Sequence, residues 1–246
     1  MSNRFFLDSS ESQRSGDRAV LAGSEAHHFL RVMRGQAGDT VVLFDGSGFS
    51  YCGTVAAIEK NEVRIQITET FPDAVESSLR LTVASALPKG DRQRFLVEKL
   101  AELGVARFVP VHLERSVART NDAVISRFRR CVIESAKQCE RNVLMEITEE
   151  MTLPKLNELL EREQSTKFIL HPLKLGSVGQ TALKAVTDDH PAQHLAVLVG
   201  PEGSFTGREM ETALQFGFKP LDLGARILRT ETACIAAAAV FLTITP

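Results

Sequence analysis

The sequence lacks the features of several large classes of protein. Its 29 basic residues are balanced by 31 acidic ones, and the formal net charge of −2 excludes a uniformly basic, histone-like protein, although it leaves local basic patches open. The four cysteines form no C-x-x-C pair, no secretory hydrophobic stretch opens the chain, and the apolar run at 235–244 is too short to span a bilayer. We therefore expect a cytoplasmic protein with buried thiols, no membrane contact and no metal site.

Two familiar nucleotide-binding motifs are also missing, because neither G-x-G-x-x-G nor G-x-x-x-x-G-K-[ST] occurs in the chain. In their place stand two glycine-containing loops, VGPEGS at 199–204 and LGARILRTETA at 223–233. Each follows a short apolar run and precedes a segment of helical character. Two such corners predict one compact ligand pocket at the carboxyl ends of parallel strands. Since no lysine follows Gly203, these loops do not match a phosphate cradle, and ordinary tight turns of an α/β domain are the alternative to a ligand site.

Two different sequence patterns divide the chain near residue 73. Before it, short β-branched or alternating runs accompany one helix at 25–33, with Ser24 as its expected N-cap, and predict a small β-barrel. After a linker at 71–74, strands alternate with helices, which is typical of a parallel sheet covered on both faces. We therefore predict an α/β protein of two domains, 1–73 and 74–246. The expected strands of the second domain lie at 81–86, 108–112, 167–170, 195–199 and 221–223, and its first two helices at 91–103 and 121–141.

A series of motifs along the chain carries a family resemblance. HHFLRVMR and FDGSG occur in the first domain, and KLAELGV, ERS, QCERN, LHP, VGPEGSFT and LGARILRTETA follow in order in the second. With these motifs the chain closely resembles the bacterial small-subunit (16S) ribosomal RNA uridine-N3 methyltransferases of the SPOUT class. The resemblance implies a PUA-like RNA-binding barrel over 1–73 and a trefoil-knotted methyltransferase domain over 74–246. It also implies a homodimer, S-adenosylmethionine as methyl donor, and small-subunit ribosomal RNA, in the assembled subunit, as substrate.

Three positions near the end of the long helix depart from the pattern that the resemblance implies. A small residue is expected where Glu140 stands, proline where Met145 stands, and often an acid at Lys137. These departures concern the loop at the helix end.

The resemblance implies that three loops enclose the cofactor, with Leu223, Ile227 and Leu228 as apolar walls. Simpler interpretations exist for some of these residues: His171 before Pro172 fits a strand end, and Thr230 fits a helix N-cap. Two interpretations exist for Glu202: an ordinary surface charge, or a residue of the GPEG loop that orders the neighbouring loop or faces the positively charged methionine end of the cofactor. The residues expected to bind the cofactor are Leu170, His171, Pro172, Val199, Gly200, Pro201, Glu202, Gly203, Leu223, Gly224, Ile227, Leu228, Arg229, Thr230, Thr232 and Ala233.

Methylation at N3 of uracil poses a specific problem, because the neutral imide is a poor nucleophile at neutral pH. The site must remove the N3 proton or stabilise the negative charge that develops on O2 and O4. We predict that Arg229 and Arg115 supply this stabilisation. A carboxylate base is the other route, with Glu98 as the predicted residue and Glu114 and Glu231 as alternatives. The target base has to be unpaired, since pairing buries N3.

Residues outside the two glycine-containing loops predict a local track for RNA phosphates. The expected contacts are Arg4, Arg31, Arg34, Arg119, Arg141 and Asn142. On the helix at 121–141, Arg130, Glu134, Lys137 and Arg141 share one stripe. This stripe is either a solvated face stabilised by i, i+4 pairs or part of the track.

Two other functions stay open at this point. A non-catalytic RNA-binding module would keep the barrel and lose the chemistry, although the complete GPEGS and ILRTETA loops weigh against it. A methyltransferase of the same class that acts on another base or position fits the motifs as well.

Overall fold

The computed structural model describes residues 3–8, 12–72, 76–171 and 193–244. Two compact units make up the chain: an N-terminal unit of residues 1–76 and 133–144, and a C-terminal unit of residues 77–132 and 145–246. The predicted domain boundary near residue 73 lies outside the described residues and stays a prediction. Within the described residues, no helix combines the length and apolar character needed to cross a bilayer.

A six-stranded curled sheet forms the N-terminal unit. Its order is β1-β4-β5-β6-β3-β2, in which β1 and β4 pair in parallel and all other pairs are antiparallel. Register shifts at Cys52/Gly53 and Val55/Ala57 interrupt the pairing of the two longest strands, and such irregularities bend a sheet. The strands are β1 Arg4–Phe6, β2 Gln13–Ser15, β3 Arg18–Leu21, β4 Thr40–Phe44, β5 Phe49–Glu59 and β6 Glu62–Pro72. Because β6 reaches Pro72, the predicted linker at 71–74 begins inside a strand.

A short helix closes over one face of this sheet. Helix α1 spans Gly23–His27 and continues as a π-helical turn over His28–Val32. The predicted N-cap Ser24 is wrong, because the cap position is Ala22 and Ser24 lies inside the helix. Phe29 of the π-turn is buried and meets Phe5 edge-to-face, with ring centroids 5.7 Å apart, so the apolar face of the helix anchors it to the core.

The C-terminal unit is a seven-stranded sheet in which every described pair is parallel. The order β10-β8-β7-β12-β11-β13, with β9 beside β8, confirms the predicted parallel α/β fold. The strands are β7 Arg80–Ser85, β8 Arg107–His112, β9 Glu146–Ile147, β10 Met151–Thr152, β11 Thr166–Leu170, β12 His194–Val199 and β13 Lys219–Leu221; the helices are α2 Arg92–Glu102, α3 Asp122–Cys139, α4 Leu153–Arg162, α5 Gly207–Gln215 and α6 Thr230–Ile244.

Central strands of this sheet are apolar on both faces. Ile169 and Leu198 belong to a core cluster with helix residues such as Leu156, whereas the neighbouring Phe168 stacks on Phe241 of α6 at 5.6 Å between centroids. Continuous apolar strands of this kind require a helical layer on each side. Three strand ends then lie side by side, because Leu170 pairs with both Val199 and Leu221.

Candidate active site

A cavity of about 380 Å³ opens at the carboxyl ends of β11, β12 and β13. Because these strands are neighbours in the sheet, the residues at their carboxyl ends lie close together, as expected for a ligand site in a parallel α/β fold. Its lining combines apolar side chains with exposed main chain. The lining residues are Leu170, His171, Val199, Gly200, Pro201, Glu202, Gly203, Ser204, Phe205, Leu221, Asp222, Leu223, Arg226, Ile227, Leu228, Thr230 and Ala233.

Most residues predicted to bind the cofactor line this cavity. Gly224, Arg229 and Thr232 do not line it and are exposed to solvent nearby, and Pro172 lies outside the described residues. Ile227 lines the cavity and is 89% exposed, which is unusual for a large apolar side chain. For all the residues that were expected to bind the cofactor, that role stays a prediction.

The loop after β12 is held tightly at both ends. Ser204 adopts a left-handed conformation with φ 61°, and its N–H donates to the carbonyl of Pro201 over 2.8 Å. At the next helix, Thr206 and Glu209 form a reciprocal capping box, which fixes where α5 begins. Gly200 is required for packing, since a Cβ there would lie 2.8 Å from the ring of the buried Phe205.

Helix α6 is tied to this loop through Thr230. Its hydroxyl donates to the carbonyl of Gly200 over 3.0 Å, and the residue is buried. The interpretation of Thr230 as an N-cap expects this hydroxyl to accept from its own helix; instead it donates across to the neighbouring loop. The contact joins the loop after β12 to the start of α6 at the wall of the cavity.

An acidic pair and one arginine lie beside the same loop. Nη1 of Arg92 in α2 is 2.7 Å from Oε1 of Glu202 and 3.5 Å from Oε1 of Glu231. The hydrogen bond to Glu202, helped by the charge of both carboxylates, raises the pKa of Arg92. Behind the pair, burial raises the pKa of the Cys234 thiol to about 12, so this cysteine is a neutral core residue. The sequence alone does not predict a role for Arg92, because nothing in it distinguishes Arg92 from Arg94 two positions later.

Arg115 lies at the rim of the cavity. Its Nη1 donates to the carbonyl of Gly203 over 2.7 Å, and its side chain is exposed. The adjacent N–H of Glu114 donates to Glu209 over 2.7 Å. Burial alone would raise the pKa of Glu209, but the N–H groups of Thr206 and Glu114 and the Thr206 hydroxyl bond to its carboxylate and lower it instead. These contacts bring the segment around Arg115 up to the loop after β12.

The other two predicted catalytic residues are placed differently. Arg229 is exposed immediately before α6, and no partner for its side chain is found among the described residues. Glu98 does not line the cavity; it lies within α2 and its carboxylate is 3.0 Å from Lys99. The structure therefore does not bring Glu98 to the cavity, and its carboxylate is paired with Lys99 instead.

Three predicted RNA contacts are buried in the N-terminal unit, which corrects the prediction. Arg4 is 7% exposed, Arg141 4% and Asn142 3%. The guanidinium of Arg4 donates to the carbonyls of Glu140 and Arg141, at 3.2 and 3.0 Å, and to Asn142 Oδ1. Arg141 in turn bonds to the carboxylate of Glu76 at 2.6 and 2.9 Å. Phosphate cannot reach side chains that are enclosed and paired in this way, so they organise the protein interior.

The predicted charged stripe on α3 is also interrupted. The helix ends at Cys139, so Arg141 is not part of it, and Lys137 is paired with the buried Glu25 at 3.0 Å. Glu140, where a small residue was expected, has φ 65°. That left-handed conformation ends the helix and is the one for which glycine is favoured.

Three predicted RNA contacts remain accessible. Arg31 and Arg34 are exposed on and just after the π-turn of the N-terminal unit. Arg34 has φ 56°, an uncommon backbone conformation for arginine. Arg119 is exposed in the C-terminal unit, but its guanidinium lies 2.7 Å from Glu150 and 3.1 Å from Nε2 of His112.

Five residues of the cavity lining were not predicted. Ser204 and Phe205 directly follow the GPEG loop, Leu221 and Asp222 precede the second loop, and Arg226 lies inside it. Arg226 belongs to the quoted motif LGARILRTETA, so the sequence held a signal for it. Asp222 was assigned to a strand at 221–223, but β13 ends at Leu221 and the Asp222 carboxylate accepts from the N–H of Gly224 over 3.0 Å.

Comparison with known proteins shows which family this chain resembles. The RNA methyltransferase domain model matches residues 75–242, and the RNA methyltransferase PUA domain model matches residues 21–68. Ribosomal RNA small subunit methyltransferase E from Bacillus subtilis is 29% identical, over 94% of this chain and 92% of its own.

Two solved structures extend the match to three dimensions. Ribosomal RNA small subunit methyltransferase E from Neisseria gonorrhoeae, bound to S-adenosyl methionine, is 30% identical with a TM-score of 0.84, and the match covers 100% of this chain and 98% of that one. A Legionella pneumophila methyltransferase in complex with the same cofactor is 27% identical with a TM-score of 0.82, over 99% and 98% of the two chains. The parallel sheet and the PUA-like first unit agree with these matches, and the chain belongs to the ribosomal RNA small subunit methyltransferase E family of RNA methyltransferases.

Proposed function

We propose that this protein transfers the methyl group of S-adenosylmethionine to N3 of a uridine in small-subunit ribosomal RNA. The observation that carries the proposal is the cavity at the carboxyl ends of β11, β12 and β13, within the segment that matches the RNA methyltransferase domain. Two relatives of matching fold have been solved with this cofactor bound.

The chemistry of the lining fits such a cofactor. The charged lining residues are Asp222, Glu202 and Arg226, which gives no excess of cations for a polyphosphate but tolerates a positively charged ligand. Apolar side chains such as Leu223 and Leu228 suit the faces of an adenine ring. His171 adds a buried Nδ1 for which the described residues supply no hydrogen-bond partner, and this is a polar atom that a bound ligand can satisfy.

S-adenosylmethionine, when bound, supplies a methyl group on a positively charged sulfur. The protein then has to hold the acceptor nitrogen in line with that methyl, and positioning of this kind lowers the barrier substantially. We assign the walls of the cavity to this task, because the capping box, the Ser204 turn and the Thr230 contact keep its loops fixed.

Negative charge develops on the uracil oxygens as N3 loses its proton. We assign its stabilisation to arginines at the rim, with Arg229 first because its guanidinium is exposed and has no partner among the described residues. Arg115, bonded to the Gly203 carbonyl, is the second candidate, and Arg226 of the lining is added to them. Electrostatic stabilisation suits this cavity better than a carboxylate base, since Glu202 and Asp222 are both engaged in contacts of their own.

RNA binding in this proposal involves both units. Arg31 and Arg34, exposed in the segment of the PUA domain match, contact phosphates, and the target uridine is unstacked and unpaired when its N3 is methylated. We further propose that the substrate is the assembled subunit in the cytoplasm, that the protein is a homodimer, and that the C-terminal domain, 74–246, carries a trefoil knot.

The direct test is methylation of RNA with the purified protein. Tritiated S-adenosylmethionine would be incubated with small-subunit ribosomal RNA, free or in subunits from cells that lack the enzyme, and the product nucleosides separated by mass spectrometry. We expect N3-methyluridine, formed faster on the assembled subunit. A different methylated nucleoside would assign the protein to another position, and RNA binding with neither cofactor binding nor product would leave a non-catalytic binding module.

Substitution of Arg229 tests the assigned charge stabilisation. Arg229→Gln should lower kcat by about a hundredfold or more while cofactor affinity changes little, because donors to a developing charge act mainly in the transition state. Arg80→Gln is the matched control, since Arg80 is exposed at the opposite, amino end of β7. Equal activity of the two variants would remove Arg229 from the mechanism.

A further inference from the structure

Arg92 of helix α2 contacts two elements that wall the cavity without itself lining it. Its Nη1 is 2.7 Å from Glu202, which lies in the loop after β12, and 3.5 Å from Glu231, which lies in the first turn of α6. A single nitrogen therefore bridges two carboxylates that are far apart in sequence. This one cation therefore links three elements: helix α2, the loop after β12 and helix α6.

The two carboxylates differ in their surroundings. Glu202 is 38% exposed and lines the cavity, whereas the side chain of Glu231 is 7% exposed. One oxygen of Glu231, Oε2, is buried with no hydrogen-bond partner among the described residues. An enclosed carboxylate of this kind depends on its nearby cation, because removing the cation leaves an uncompensated charge in a poorly solvated place.

Removal of Arg92 would do more than delete a surface ion pair. Glu202 and Glu231 approach the same nitrogen, so without it two negative groups would face each other across the junction of the loop and α6. Their repulsion would separate two elements that are otherwise joined by the bond from Thr230 to the Gly200 carbonyl. The cation thus acts on the geometry of the cavity wall.

We propose that Arg92 is a positioning residue for the methyl-donor site, acting through Glu202 and Glu231. It holds the loop at 200–206 against the start of α6, and so sets the shape of the cavity into which the cofactor fits. The role in cofactor binding rests on the proposed function, whereas the ordering of the loop stands without it.

The test compares Arg92→Gln with three other variants. Arg92→Lys keeps the charge, Arg92→Gln with Glu231→Gln removes the repulsion together with the cation, and Arg94→Gln is the matched control on the same helix. Arg94 is exposed and no ion pair of its side chain is found in the described part of the chain. Calorimetry measures the Kd for S-adenosylmethionine, steady-state kinetics measures KM and kcat, and hydrogen exchange measures protection of amides 200–206.

For Arg92→Gln we expect Kd and KM for the cofactor to rise by about tenfold or more, with a smaller change in kcat, since an uncompensated buried charge is costly. Arg92→Lys and the double variant should each recover part of the affinity, and Arg94→Gln should match the wild type. Protection of amides 200–206 should fall most in Arg92→Gln, less in Arg92→Lys and the double variant, and not in Arg94→Gln.

Unchanged affinity and unchanged protection in Arg92→Gln would overturn the proposal. Equal loss in the single and double variants would also overturn it, because the repulsion would then play no part. If Arg92→Gln does not fold, Arg92→Lys and the double variant carry the same comparison. If the wild type binds no S-adenosylmethionine, the proposed function fails, and the hydrogen-exchange comparison still decides whether Arg92 orders the loop.

Discussion

Substitution of Gly200 by alanine should damage the cavity far more than the same substitution at Gly203. A Cβ at Gly200 would lie 2.8 to 3.1 Å from three ring atoms of Phe205. At Gly203 the nearest atoms are Cδ and Cβ of Arg115, at 3.3 and 3.4 Å. The two glycines belong to one loop, and neither has a positive φ. A comparison of the two alanine variants therefore tests side-chain packing and not backbone strain.

The expected difference follows from what each neighbour can do. Phe205 is buried in a core cluster with Leu198 and Phe218, and a ring packed at interior density cannot retreat without disturbing its neighbours. Arg115 is exposed, and its stem can shift by a few tenths of an ångström. We expect Gly200→Ala to cost about 1–3 kcal/mol, the usual range for overpacking, and Gly203→Ala less than about 1 kcal/mol.

Two measurements test this difference. For a chain of this size, 1 kcal/mol corresponds to a shift in Tm of roughly 2–4 °C, so Gly200→Ala should melt several degrees below the wild type. The carbonyl of Gly200 also accepts the Thr230 hydroxyl, so its displacement should weaken binding of S-adenosylmethionine, measured by calorimetry, by on the order of tenfold. Equal Tm and equal affinity for the two alanine variants would refute the packing described for Phe205.

Three further predictions concern other parts of the molecule. Glu140→Gly should stabilise the protein by up to about 1 kcal/mol in urea unfolding and Glu140→Ala should not, because φ is 65° and the left-handed region penalises side chains. Arg4→Met should lower the free energy of unfolding by about 2–4 kcal/mol, because the guanidinium of Arg4 donates to buried acceptors. It should leave the salt dependence of RNA binding unchanged. Arg31→Gln should instead weaken RNA binding and reduce the slope of log affinity against log salt concentration by about 0.7. The pKa of Glu209 is below its ordinary value of 4.5 in the folded protein. The ionised carboxylate therefore stabilises the fold fully above pH 4.5, and this stabilisation is lost as the pH falls through the lowered pKa of the folded state. Glu209→Gln should make the free energy of unfolding less dependent on pH in this acid range, and an unchanged dependence would contradict the prediction.

Much of the cavity was predictable because backbone requirements are local. Apolar runs that end in GPEG and LGAR mark the carboxyl ends of strands, and the parallel sheet then brings those ends together. Leu170, Val199 and Leu221 indeed lie in register. The one strand misplaced at this edge, 221–223, ends early because Asp222 turns back to bond the N–H of Gly224, a side-chain contact that apolar periodicity does not record.

The roles of the charged residues were harder to predict, and Arg4 shows why. In the sequence RFF, an arginine near the chain start resembles any exposed cation, and Arg31 in HHFLRVMR resembles it equally. In the fold, Arg4 lies on β1 within reach of the carbonyls where α3 ends, more than a hundred residues later. Those carbonyls belong to the two residues that follow the helix, which ends at Cys139, and a carbonyl enclosed in the protein needs a donor. Whether an arginine contacts RNA or the end of a helix therefore depends on which unpaired acceptors the fold brings to it, and this is fixed by contacts distant in sequence. The same reasoning applies to Arg92, whose two carboxylates come from segments over a hundred residues away.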